Sequence, residues 1–117
     1  MILTFLLVAL GGAIGSVLRF AMTLAIGAPV ATLAVNVAGS FLMGVLFVLL
    51  SGRGLLSPLL LTGVLGGFTT FSAFSLDALK LWQQGQAGQA ALYVAASVVL
   101  SLAAVAGGAA LMRSLAA

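Results

Sequence analysis

The chain has 117 residues, of which 64% are hydrophobic, 15 are glycine and 4% are charged, with a formal net charge of +3. A soluble domain carries about 25% charged residues, so this chain, with a mean hydropathy of +1.41, cannot coat a water-facing globule. That excludes a cytosolic domain, a disordered segment and, with no cysteine, a secreted disulfide scaffold.

A transmembrane helix needs about 20 apolar residues, and the length accommodates four with short connections. The apolar runs are continuous rather than alternating, which argues against a β-barrel. No Lys or Arg precedes the first run, so it reads as a retained helix rather than a signal peptide. The first span is expected over residues 2–23. It carries Gly11 and Gly15, a GxxxG pair that forms a close-packing surface in lipid. Gly27-Ala28-Pro29 is a turn, and the second span follows over 30–50. Ser51-Gly52-Arg53-Gly54 is a polar connection, and Ser57-Pro58 reads as an N-cap with proline at the first helical position. The third span is expected over 58–80, the Gln83-Gln84-Gly85-Gln86 stretch is a polar loop, and the fourth span covers 87–112. The fold class is an all-α membrane protein of four transmembrane helices in a single domain.

Four spans place Arg19 and Lys80 on one side and Arg53 and Arg113 on the other. Orientation normally follows a Lys/Arg excess facing the cytoplasm, and here there is none. The chain can then insert both ways round and form an antiparallel dimer with its axis in the membrane plane. If Arg19 is buried, the tally becomes two against one and a single orientation follows. No basic cluster offers itself to nucleic acid.

The third span is the unusual one. From Thr62 to Ser75, eight of fourteen residues are Gly, Thr or Ser, and both Gly and Thr are poor helix formers. Either the helix is interrupted there, which frees backbone groups to face an ion, or small residues serve tight packing. Phe68, Phe71 and Phe74 share one flank. They are either packing residues or present positive ring edges to a small anion. Asn36, the only asparagine, is interhelical glue or a donor on a hydrated path. Tyr93, Ser97 and Ser101 form a stripe at intervals of four, and their hydroxyls either solvate an ion or bond to their own i−4 carbonyls. Arg19 and Asp77 each end a span on the same side, which favours a salt bridge over a vestibule that draws anions to Arg19. Hydroxyls, one amide and aromatic edges, with no acid at the centre of any span, suit an anion better than a cation.

The stretches GGAIGSVLRF (11–20), NVAGSFLMG (36–44) and GVLGGFTTFSAFSLD (63–77) resemble the Fluc (CrcB-type) fluoride channel family, in order, spacing and overall length. That resemblance implies a passive fluoride channel that exports fluoride and relieves its toxicity. It implies an antiparallel homodimer with two pores in a bacterial or archaeal plasma membrane. Phe71 and Phe74 match the phenylalanines whose edges face fluoride. Asn36, Ser72, Tyr93, Ser97 and Ser101 match the other pore positions, and Arg19 matches the arginine of the first motif. Gly66 and Thr69 match the backbone carbonyls that hold a central structural sodium ion, contributed by both subunits. The family's usual FSTF is FSAF here, with Ala73 in place of a hydroxyl, and its glutamate after the motif is Asp77.

A small multidrug-type transporter shares the size and four helices but needs a first-helix glutamate. The chain has no glutamate. A holin-like or other non-transporting assembly subunit would explain the small residues but not the polar cluster of the third span. An enzyme is not expected, because without Cys or His and with a single acid no acid–base or nucleophile–base set can be drawn.

Overall fold

A computed structural model describes all 117 residues. The chain is entirely helical: α1 (Ile2–Ile26), α2 (Val30–Leu49), a π-helical stretch (Pro58–Leu65), the single turn α3 (Gly66–Phe68), α4 (Phe71–Gln83) and α5 (Ala87–Ala116). Four segments are long and apolar enough to cross a membrane: Ile2–Ile26, Val30–Leu49, Pro58–Gln83 and Ala87–Ala116. The longest axis is 48 Å, more than the ~30 Å hydrocarbon core.

The ends of these segments have local causes. α1 runs to Ile26, three residues beyond the expected end, and stops at Gly27, whose φ of 86° suits only glycine readily. α4 closes before Gly85, at φ 76°. Pro58 stands at the first position of the third segment, as its missing N–H favours. Ser57 precedes it in helical conformation and makes no side-chain cap.

α1 packs along the π-helical stretch and α3, while α2 packs along α5, with α4 laid against α5. Glycine permits the first contact. A Cβ at Gly15 would strike the carbonyl oxygen of Val64, and one at Gly67 would lie 2.6 Å from the Gly12 carbonyl oxygen. The α2–α5 contact uses the same device, with Gly44 against the Val105 carbonyl and Gly108 against that of Phe41. Without a hydrophobic force between helices in lipid, such close backbone contact supplies the dispersion energy of association.

Only 17 of 117 residues are buried, so one chain has too thin an interior to enclose a pathway. Between α3 and α4 the backbone leaves the helix: Thr69 has φ −84°, ψ 155° and Thr70 φ −154°, ψ 117°. These two extended residues position the site described next.

Candidate functional site

Two extended residues inside an apolar segment release backbone groups that lipid cannot satisfy. The side chains around them take up that work. Asn36 on α2 donates from Nδ2 to the Thr70 carbonyl (2.9 Å), and its Oδ1 accepts from the Thr70 N–H (2.7 Å). One Asn36 N–H remains free. Thr70 then caps α4, its Oγ1 accepting from the Ala73 N–H at 3.1 Å. Thr69 turns its Oγ1 back to the Leu65 carbonyl, one turn earlier, at 2.9 Å. On the opposite flank Arg19 donates from Nε to the Gly67 carbonyl at 3.1 Å.

This corrects the expected Arg19–Asp77 salt bridge. Arg19 lies seven residues inside the end of α1, about 10 Å along the helix, and reaches Gly67. Asp77 is ten residues further along the third segment. It is 8% exposed and accepts at Oδ2 from the Tyr93 hydroxyl at 3.1 Å. Each charge has found a partner closer in the fold.

Beside the extended pair lies an open groove of about 340 Å³. It brings together five of the expected pore residues: Asn36, Phe71, Phe74, Ser97 and Ser101. It also gathers Ser40, Thr69 and Thr70, which were not singled out as pore residues. Ser40 was findable, because it follows Asn36 by four on the same helix face. Ser72 and Tyr93 are not on the groove wall. The Ser72 hydroxyl meets Thr70 Oγ1 at 3.2 Å, and Tyr93 lines a second cavity.

The groove has one exposed ring and one buried ring. Phe71 is 76% exposed and Phe74 only 7%. Their rings meet edge-on, with centroids 5.2 Å apart and planes at 64°. Phe74 in turn touches Tyr93, with centroids 5.3 Å apart. The Ser97 hydroxyl is buried and has no hydrogen-bond partner, so it is not consumed by its own i−4 carbonyl. An unpaired buried hydroxyl costs about 1–3 kcal/mol and is an open valence for a ligand. No carboxylate lines the groove. It presents hydroxyls, a spare amide N–H and ring edges, a set of neutral donors suited to a small anion.

No group of three or more His, Cys, Asp or Glu side chains is placed to hold a metal. A cation here would need backbone oxygens. The Thr69 carbonyl accepts no hydrogen bond within the chain, and Gly66 is exposed beside it. Such backbone oxygens are the ligand type that hard cations prefer.

A family model described as "CrcB-like protein, Camphor Resistance (CrcB)" matches residues 6–109. The chain is 53% identical to a protein of Paracoccus denitrificans, covering 96% of each chain. It is 53% identical to one of Cereibacter sphaeroides, covering 97% of each. It is 56% identical to one of Rhizobium etli, covering 94% of this chain and 96% of the relative. All three relatives are named "Fluoride-specific ion channel FluC".

Proposed function

The chain belongs to the CrcB family, and on that premise we propose that it is a passive fluoride-selective channel that exports fluoride and relieves its toxicity. The observation that carries this reading is the groove that gathers Asn36, Phe71, Phe74, Ser97 and Ser101 without a carboxylate.

Dehydration is the main barrier for a small, strongly hydrated anion. The free Asn36 N–H, the hydroxyls of Ser40, Ser97 and Ser101, and the edges of Phe71 and Phe74 replace water stepwise. Each contact is neutral and weak enough to release the ion to the next, as conduction requires. Ser72 sits at the lip, where its hydroxyl and that of Thr70 meet. Tyr93 lies behind Phe74. Arg19 holds the Gly67 carbonyl, and its positive charge favours anions nearby.

The working unit in this proposal is an antiparallel homodimer with two pores, in a bacterial or archaeal plasma membrane. A groove left open in one chain and the 76% exposure of Phe71 support a second copy as its missing wall. The even distribution of Arg19 and Lys80 against Arg53 and Arg113 supports insertion in both orientations. The Gly66 and Thr69 carbonyls of both subunits would hold a structural sodium ion at the dimer centre. When bound, sodium would accept the lone pairs of the freed carbonyl oxygens and so link the two third segments.

Fluoride efflux from proteoliposomes, with chloride in parallel, tests the transport claim. Orientation has a separate test, because the chain lacks cysteine. A Ser51→Cys variant should label from both sides of a cell membrane in about equal amounts. One-sided labelling would remove the antiparallel dimer.

A further inference from the structure

Next to the groove, a second hollow of about 740 Å³, also open to the surface and with exposed glutamines, lies where the Pro29 turn meets the α4–α5 connection. Its polar lining is Gln84, Gln86, Gln89 and Tyr93, with no carboxylate. Tyr93 joins this cavity to the groove. Its ring packs on Phe74, and Phe74 lines the groove. The Phe74 and Tyr93 rings, one lining each hollow, are therefore in contact. Phe71, Phe74 and Tyr93 make a ladder with spacings of 5.2 and 5.3 Å, leading from the exposed lip of the groove to the glutamines. One helical turn from Tyr93, the unpartnered Ser97 hydroxyl, on a side chain 6% exposed, stands in the groove wall. Asp77 fixes the Tyr93 hydroxyl and lines not this cavity but a neighbouring one of about 200 Å³, where Lys80 and Gln84 accompany it.

We infer that the glutamine cavity is the outer compartment of the fluoride path, where the partly hydrated anion is held by the carboxamides of Gln84, Gln86 and Gln89 before it passes Tyr93 and Phe74. This rests on the fluoride-channel reading above. A carboxamide offers two N–H donors without net charge. It can replace part of a hydration shell yet hold the anion less tightly than an ammonium or guanidinium would. Weak binding at several sites is what passage through a channel demands. Asp77 is buried and engaged by the Tyr93 hydroxyl, and Lys80 lines the same neighbouring hollow, so no exposed carboxylate faces the compartment.

The test is fluoride efflux from liposomes at low and high concentrations of an impermeant salt. Four proteins are compared: the natural chain, Gln89→Glu, Gln89→Lys, and the triple variant Gln84→Leu, Gln86→Leu, Gln89→Leu. The triple variant should be slower by about tenfold, from the loss of donors to a charged acceptor. At low salt Gln89→Glu should slow efflux and Gln89→Lys should speed it. Both should approach the natural rate near 1 M salt, where the screening length is about 3 Å. Opposite, salt-sensitive shifts cannot come from misfolding. Equal rates in all four proteins, or shifts of one sign in the Glu and Lys variants, would overturn the compartment while leaving the channel intact. A natural chain that passes no fluoride would remove the channel reading, and this inference with it.

Discussion

The side-chain amide of Asn36 pairs with both backbone groups of Thr70, donating to its carbonyl and accepting from its N–H. One side chain on α2 thus does for an extended residue what a neighbouring strand would do in a sheet. It also explains why an amide, with a donor and an acceptor on one planar group, stands in an apolar helix.

Asn36→Ala should leave both Thr70 groups unpaired and cost about 2 kcal/mol or more. Chemical denaturation in mild detergent would measure it, and fluoride efflux should fall in the same variant. Unchanged stability would mean that the two-point contact contributes nothing to holding the extended pair.

Phe71 and Phe74 are three residues apart but sit in opposite environments, 76% and 7% exposed. Phe71→Ile should change single-chain stability by no more than about 0.5 kcal/mol while lowering fluoride efflux more than tenfold, through loss of a ring edge. Phe74→Ala should cost about 3–5 kcal/mol as a core truncation. Full efflux with Phe71→Ile would sink the proposal that its ring contacts the ion.

Neighbouring glycines on α1 should respond differently to one methyl group. Gly15→Ala drives a Cβ into the Val64 carbonyl, whereas a Cβ at Gly12 meets nothing within 4 Å. The first should destabilise by about 1–3 kcal/mol through overpacking and loosen the Arg19–Gly67 bond. The second should be neutral, or stabilising by up to about 1 kcal/mol from helix propensity. Thermal unfolding in detergent reads both, and equal effects would contradict the packing described.

Arg19 and Asp77 have separate partners, so their substitutions should be additive. In a cycle of Arg19→Met and Asp77→Asn, the coupling energy should be within about 0.5 kcal/mol of zero. A coupling above about 1 kcal/mol would restore the ion pair that sequence position favoured.

Much of the architecture was legible because lipid imposes simple demands. Four continuous apolar runs, punctuated by Gly27, Ser51–Gly54 and the glutamines, mark the same four membrane-length segments that the fold contains. Arg19 misled because a charge near the end of an apolar run looks like the end of a helix. The expected span already passed through it to Thr23, and α1 runs three residues further, to Ile26, before stopping at Gly27. The Gly44 and Gly108 contacts were not anticipated, because a small residue in a helix carries no mark of which neighbour will approach it. Ser40 was readable from its interval to Asn36. Thr70 was noticed only as a poor helix former, since its pairing with Asn36 joins residues 34 apart in the chain. The separate cavity beside Tyr93 depends on how α4 and α5 cross, which no local pattern specifies.

The most direct test of the central claim is fluoride efflux from liposomes holding the purified protein, followed with a fluoride electrode while chloride is followed in parallel. The account predicts rapid fluoride release with no comparable release of chloride. Well-folded, dimeric protein that releases no fluoride, or that releases both ions alike, would contradict it.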